Sequence, residues 1–139
     1  MKESLVILSA ILFVACSKSS NNPTSSSGGN VSFKNDVQII FTNNCALSGC
    51  HAGPITAPVA INEILLAGQA YDNIVNVKSQ EMPNYLRVKP SSSDSSYLYL
   101  KITGASGISG VQMPYGKAPL STSDMQTIKD WIDQGAQNN

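Results

Sequence analysis

Two of the three cysteines and the only histidine of a 139-residue chain fall within one heptapeptide, Cys45-Ala46-Leu47-Ser48-Gly49-Cys50-His51. Two thiols and an imidazole this close together constrain the fold strongly. Whatever they bind has to be enclosed by the rest of a small domain. The chain is otherwise poor in reactive groups: charged residues make up 13%, against about a quarter in an average globular protein.

A Cys directly followed by His, with another Cys shortly before, is the grouping that attaches haem c covalently. The chemistry needs these residue types together. Each thiol adds to a haem vinyl group, and the His beside the second thiol ligates the iron on one face of the ring. The usual spacing puts two residues between the cysteines, and here there are four. Two other readings stand beside this one. Structural zinc takes four tetrahedral ligands; Cys45, Cys50 and His51 give only three, with Cys50 and His51 adjacent. A Cys45–Cys50 disulfide suits an exported chain but leaves His51 without a role.

Residues 1–15 read as a lipoprotein signal peptide. Leu5 to Ala15 is an apolar run of about 11 residues, short of the roughly 20 a transmembrane helix needs. It ends at Phe13-Val14-Ala15-Cys16, which resembles a bacterial lipoprotein site, cleaved before a cysteine that then carries the lipid. An ordinary signal peptide with Cys16 incidental is the plainer alternative. Residues 16–30 then form the lipidated cysteine and a Ser/Asn/Gly linker without a large apolar residue, expected to be disordered. Several acyl chains on Cys16 would anchor the protein stably, where one alone binds marginally. The chain is thus expected to be exported and membrane-anchored, on the periplasmic or cell-envelope side. Basic and acidic residues balance at 9 each, and Arg87 is the sole arginine. No nucleic-acid footprint is present.

Residues 31–139 are expected to form one all-α, loop-rich domain. Ser32 caps a helix whose apolar positions Phe33, Val37, Ile40 and Phe41 share one face. That helix runs directly into Cys45. Gly53 to Pro58 reads as a loop, in which a carbonyl near Pro54 or Pro58 can accept the His51 Nδ1 proton. Asn62 to Leu66 is expected to form a helical turn, and Gln69 to Val77 a short helix. Gln80 to Pro90 reads as extended loop. Ser91 to Ser96 offers N-cap hydroxyls for a helix over Tyr97 to Thr103, where alternation also permits a strand. Gly104 to Pro119 is Gly/Pro-rich loop. Ser121 opens the best helix, with Met125, Ile128, Trp131 and Ile132 on its apolar face and Gly135 as its stop.

If His51 is one axial ligand, the second cannot be another His of this chain. The sulfur candidates in the mature chain are Met82, Met113 and Met125. Met125 lies on an apolar helical face and reads as core. Met113 sits in a Gly/Pro loop just before the last helix, with Pro114 stiffening it, and is favoured as the distal ligand. Met82-Pro83 is a similar pair earlier in the chain and stays open, as does plain packing of both methionines. Arg87 and Lys89 are candidates to pair with haem propionates, with solvated surface the plainer fate.

Most of Val31 to Ala136 resembles the mono-haem cytochrome c-like domains of bacterial exported proteins and lipoproteins. The resemblance rests on the order of several weak motifs. An apolar helix leads into Cys45…Cys50-His51. Val88-Lys89-Pro90 and Ser96-Tyr97-Leu98 follow, then Met113-Pro114, then Ile128…Trp131-Ile132-Asp133-Gln134-Gly135-Ala136. Variants with the wider cysteine spacing, often with Ser-Gly before Cys-His, occur among similar domains. The resemblance implies a small fold wrapped around one haem c. Cys45 and Cys50 would form the thioethers, His51 would be the proximal ligand and Met113 the distal one. It implies one-electron transfer to a redox partner protein, and an electron carrier without enzyme activity. An open-site haem enzyme of peroxidase type and a non-haem surface lipoprotein acting as a binding module are the alternatives.

Overall fold

The computed structural model describes residues 29–53 and 63–139. The signal segment, Cys16, most of the linker and the Pro54–Pro58 stretch lie outside the described residues. The described part is helix-rich and loop-rich, and among the described residues β pairing is limited to isolated bridges.

The first helix forms where its spacing predicts. Ser32 Oγ accepts from the Asn35 amide at 3.2 Å, and the Ser32 amide donates back to Asp36 Oδ2 at 2.8 Å. This reciprocal cap satisfies amides a helix start leaves open. A π-helical turn, Phe33–Val37, runs straight into an α-helix, Gln38–Asn44, here α1. Phe33, Val37, Ile40 and Phe41 are all buried.

The last helix, Thr122–Asp133, is capped by Ser121 Oγ, which accepts from the Asp124 amide at 3.0 Å. Its residues Ile128, Trp131 and Ile132 are fully buried, and Met125 packs against the same core. Phe33 meets Trp131 at 5.1 Å between ring centroids and Tyr71 edge-on at 5.3 Å. The two ends of the domain are joined by polar contacts as well. The Val31 amide donates to Gln134 Oε1, and the Phe33 and Lys34 amides donate to Asn139 oxygens.

Between these ends lie α2, Ala70–Ile74, and α3, Tyr97–Thr103, preceded by a 3-10 turn at Ser93–Ser95. The expected helix over 69–77 is shorter than its apolar spacing implies. Val75 turns extended, and the chain from there pairs with the incoming 85–88 segment: Val88 N–H donates to Ile74 O, Asn76 N–H to Val88 O and Arg87 N–H to Val77 O. Tyr97–Thr103 is helical, closed by Gly104 in the left-handed region (φ 66°). The 104–119 segment is loop throughout.

The helical turn expected over 62–66 does not form in its described part. Glu63 to Leu65 is irregular because its backbone is spent elsewhere. Glu63 O accepts from His51, Leu65 N–H donates to His51 O at 2.8 Å, and Leu65 O accepts from Gln38 Nε2 at 3.0 Å. That strap ties the 63–65 segment to Gln38 at the start of α1 and to His51 beyond its end.

Candidate functional site

Helix α1 delivers its C-terminus to the cysteine pair. Cys45 is the C-cap residue and donates its amide to Phe41 O at 2.8 Å. The following residues fold back on it. Cys45 O accepts from both Leu47 N–H (2.8 Å) and His51 N–H (3.1 Å), and Cys50 N–H donates to Leu47 O at 2.9 Å. The two extra residues are taken up by an exposed bulge at Ser48-Gly49, where Gly49 has φ +77°. A side chain rarely adopts that conformation. The bulge returns the chain so that His51 lies back against the residue that opens the turn.

His51 is held by its ring as well as its backbone. Its Nδ1 lies 2.8 Å from the carbonyl oxygen of Glu63. A carbonyl only accepts, so Nδ1 carries a proton, and in the neutral ring Nε2 is the nitrogen with the lone pair. The acceptor therefore comes from Glu63, further along than the expected Pro54 or Pro58, both of which lie outside the described residues.

Cys45 and Cys50 are free, half-buried thiols. Burial pushes the Cys45 thiol up to about 12, with Glu63 and Cys50 adding in the same direction and Lys117 opposing them. Lys117 belongs to the loop that carries Met113. Met113 itself is half-buried and lines a cleft of about 190 Å³ with Val111, Pro114, Tyr115 and Lys117. Its amide donates to Lys101 O at 2.9 Å. Met82 is half-buried on a separate turn, its amide bonded to Ser79 Oγ at 3.1 Å. Among the described residues no three His, Cys, Asp or Glu side chains converge to hold a metal ion, so a tetrahedral zinc site lacks its ligands there.

Arg87 corrects its expected place on solvated surface. It is 5% exposed. Its Nε lies 3.2 Å from Glu63 Oε2, one Nη donates to Asn73 O at 2.7 Å and the other to Gln80 Oε1 at 3.0 Å. Lys89 is exposed, as expected. Burial raises the Glu63 carboxyl above its ordinary range, while Arg87 and then His51 pull it back. A second pair, buried Lys101 with half-buried Glu81, lies 2.9 Å apart. Sequence reasoning passed over Glu63, Glu81 and Lys101. The one available signal was compositional: the sole arginine of a charge-poor chain, and Glu63 as the only carboxylate between Asp36 and Asp72.

Comparisons with protein-family models, with curated proteins and with solved structures return no match. No helix among the described residues is long and apolar enough to cross a membrane.

The donor set can be tested against haem c. Two thiols sit on one turn, and the imidazole between them and the 63–65 strap has its Nδ1 proton already taken by a carbonyl, as metal-bound histidines require. A thioether side chain, Met113, is half-buried and lines a cleft in the 104–119 loop. The residues present fit the group.

Proposed function

We infer that this chain is a one-electron carrier: a cytochrome c-like domain built around one covalent haem c, exported and held at a membrane by lipid on Cys16. The observation that carries the reading is the state of His51. With Nδ1–H donated to Glu63 O at 2.8 Å, the ring offers Nε2 as a ligand nitrogen, next in the chain to one thiol and bonded through its backbone to the residue bearing the other.

When bound, the haem supplies the redox-active iron. The chain's own residues do the remainder. Cys45 and Cys50 would hold the group through thioethers, with His51 as its proximal ligand and Met113 as its distal ligand. His/Met ligation raises the potential relative to most other ligand sets. An iron held by both side chains would leave no place for a substrate to bind it, which supports a carrier that meets a redox partner protein over an enzyme. A lipid at Cys16 and the linker after it would keep the domain near the cell-envelope surface without a spanning helix.

The test is the absorption spectrum and mass of protein purified from a host that matures haem c. A c-type spectrum is expected, with one haem retained through acid extraction and lost or crippled in Cys50→Ser. Colourless wild-type protein with a Cys45–Cys50 disulfide would overturn the reading in favour of a binding module. Cyanide that binds the oxidised protein without displacing a ligand would favour an open-site enzyme. Cys16→Ser should release the protein from membranes; equal retention of both forms would reject the anchor.

A further inference from the structure

The loop 104–119 has no regular structure of its own, yet its backbone is pinned to helix α3. Ser109 O accepts from Lys101 Nζ at 2.8 Å, and Ser109 N–H donates to the Tyr97 hydroxyl at 3.0 Å. Gln112 Nε2 donates to Ile102 O at 2.8 Å, and Met113 N–H to Lys101 O at 2.9 Å. Lys101 and Tyr97 converge in turn on one carboxylate. Glu81 Oε2 lies 2.9 Å from Lys101 Nζ and accepts from the Tyr97 hydroxyl at 3.0 Å. Lys101 is 7% exposed and Tyr97 5%. Gly110 passes directly over the pair: a Cβ there would lie 3.8 Å from Lys101 Nζ and 4.0 Å from Glu81 Oε1.

Such a group is a poor way to gain stability. Well-packed apolar residues of the same volume do as well as a buried ion pair or better. What a fully bonded polar group supplies is one defined geometry. The loop needs that, because it has little packing to define it: Val111 is 50% exposed and Tyr115 74%. The bonds at Ser109 fix the chain four residues before Met113, and the bonds at Gln112 and Met113 fix it again at the thioether.

We propose that Glu81, Lys101 and Tyr97 form a latch that positions Met113 toward the iron. They are positioning residues, and Met113 alone is the ligand. The inference rests on the reading of Met113 as distal ligand. It adds that the ligand's hold on the iron is set by side chains that bond the loop's backbone at Ser109. Because Glu81 precedes Met82, the same latch ties the turn bearing the rival methionine to helix α3.

The test uses the haem-loaded full chain and the variants Lys101→Met and Tyr97→Phe, with Lys129→Met as control. Lys129 pairs with Asp133 on the exposed side of the last helix. Two quantities are read: the rate at which imidazole replaces the distal ligand of the oxidised protein, and amide exchange at Ser109 and Met113. Both latch variants should bind imidazole at least roughly tenfold faster, since each removes two of the latch's bonds and the loss of one alone is worth about that on loop opening. Exchange should rise in 104–119 and stay unchanged in Thr122–Asp133, and the control should match wild type. Tyr97→Phe keeps the test decisive if Lys101→Met does not fold. Unchanged imidazole rates, or exchange that rises equally in the last helix, would overturn the latch while leaving Met113 as ligand. A wild-type protein without thioether ligation would overturn the ligand reading and the latch together.

Discussion

The Nδ1 of His51 and the carbonyl oxygen of Glu63 lie 2.8 Å apart, and the side chain of that same Glu63 pairs with Arg87 at 3.2 Å. One residue therefore serves the imidazole with its backbone and a buried guanidinium with its side chain. Arg87 is tied down further by Asn73 and Gln80. The orientation of His51 is thereby referred to the 73–88 segment, well away from the cysteine turn.

This arrangement predicts an order of damage. Arg87→Met leaves the Glu63 carboxylate buried without its partner, which typically costs about 3–5 kcal/mol. Glu63→Gln removes the charge, keeps the backbone carbonyl and leaves Arg87 its bonds to Asn73 and Gln80, so it should cost clearly less. Urea unfolding of both variants checks the order. Nitrogen NMR of His51 should find the Nδ1-protonated form kept in Glu63→Gln. Equal destabilisation, or loss of that form in Glu63→Gln, would mean that the side chain and not the carbonyl sets the ring.

Gly49 gives a test of the wide cysteine spacing. A Cβ at this position meets nothing within 4 Å, yet φ is +77°. Space is therefore not the obstacle, and backbone conformation is. Gly49→Ala should cost about 1–2 kcal/mol from backbone strain alone, and Gly49→Asn less, since Asn enters the left-handed region more readily. Thermal unfolding of the haem-free chain measures the difference. Equal tolerance of both would show that the bulge relaxes to another shape.

The Cys45 thiol predicts an alkaline effect. Its pKa is raised from an ordinary 9.0 to about 12 in the folded chain, chiefly by burial. The folded state therefore holds this proton more tightly than the unfolded state does. The stability tied to it is fully present below pH 9 and is lost as pH rises toward about 12. In the haem-free chain, Cys45→Ala should flatten part of the fall in stability over that window. Iodoacetamide at pH 8 should also label Cys45 at least a hundredfold faster in urea than in the folded chain, in line with a thiolate population suppressed about a thousandfold. Parallel pH profiles for wild type and Cys45→Ala would refute the shift.

Much of the helical frame was legible in the sequence, because it rests on local signals. Ser32 and Ser121 cap where their neighbours predict, and Phe33, Val37, Ile40, Phe41, Ile128, Trp131 and Ile132 bury the face their spacing defines. Gly104 and Gly135 take positive φ just past the helices they close. What failed was non-local. The shortening of the 69–77 helix depends on pairing with residues 85–88, and the missing turn near residue 63 depends on His51 and Gln38. Arg87 buries because partners far apart in sequence, Glu63, Asn73 and Gln80, surround it. No periodicity encodes such meetings. The cysteine turn is intermediate: its membership was plain, while the carbonyl that holds His51 came from a segment the sequence offered no reason to choose.

The distal ligand can be assigned by substitution of two methionines. His51 is the only histidine, so in the proposed haem site Met, Lys, water or nothing would fill the sixth position. Lysine is protonated at neutral pH, with an ordinary pKa of about 10.4, and must lose that proton to bind. Of the methionines, Met125 packs against the core, on the last helix. Met82 and Met113 are both half-buried in loops, and Met113 is favoured because its loop lies just before the last helix with Pro114 beside it, as in the resembling domains. Thioether ligation favours reduced iron, so losing it should lower the potential. Met113→Ala should therefore lose the weak thioether-to-iron band of the oxidised form, lower the potential and admit exogenous ligands, while Met82→Ala leaves all three unchanged. Spectra and redox titration of the two variants decide it. The opposite pattern would reverse the assignment, and no effect from either would leave the iron open on one face and favour enzyme over carrier.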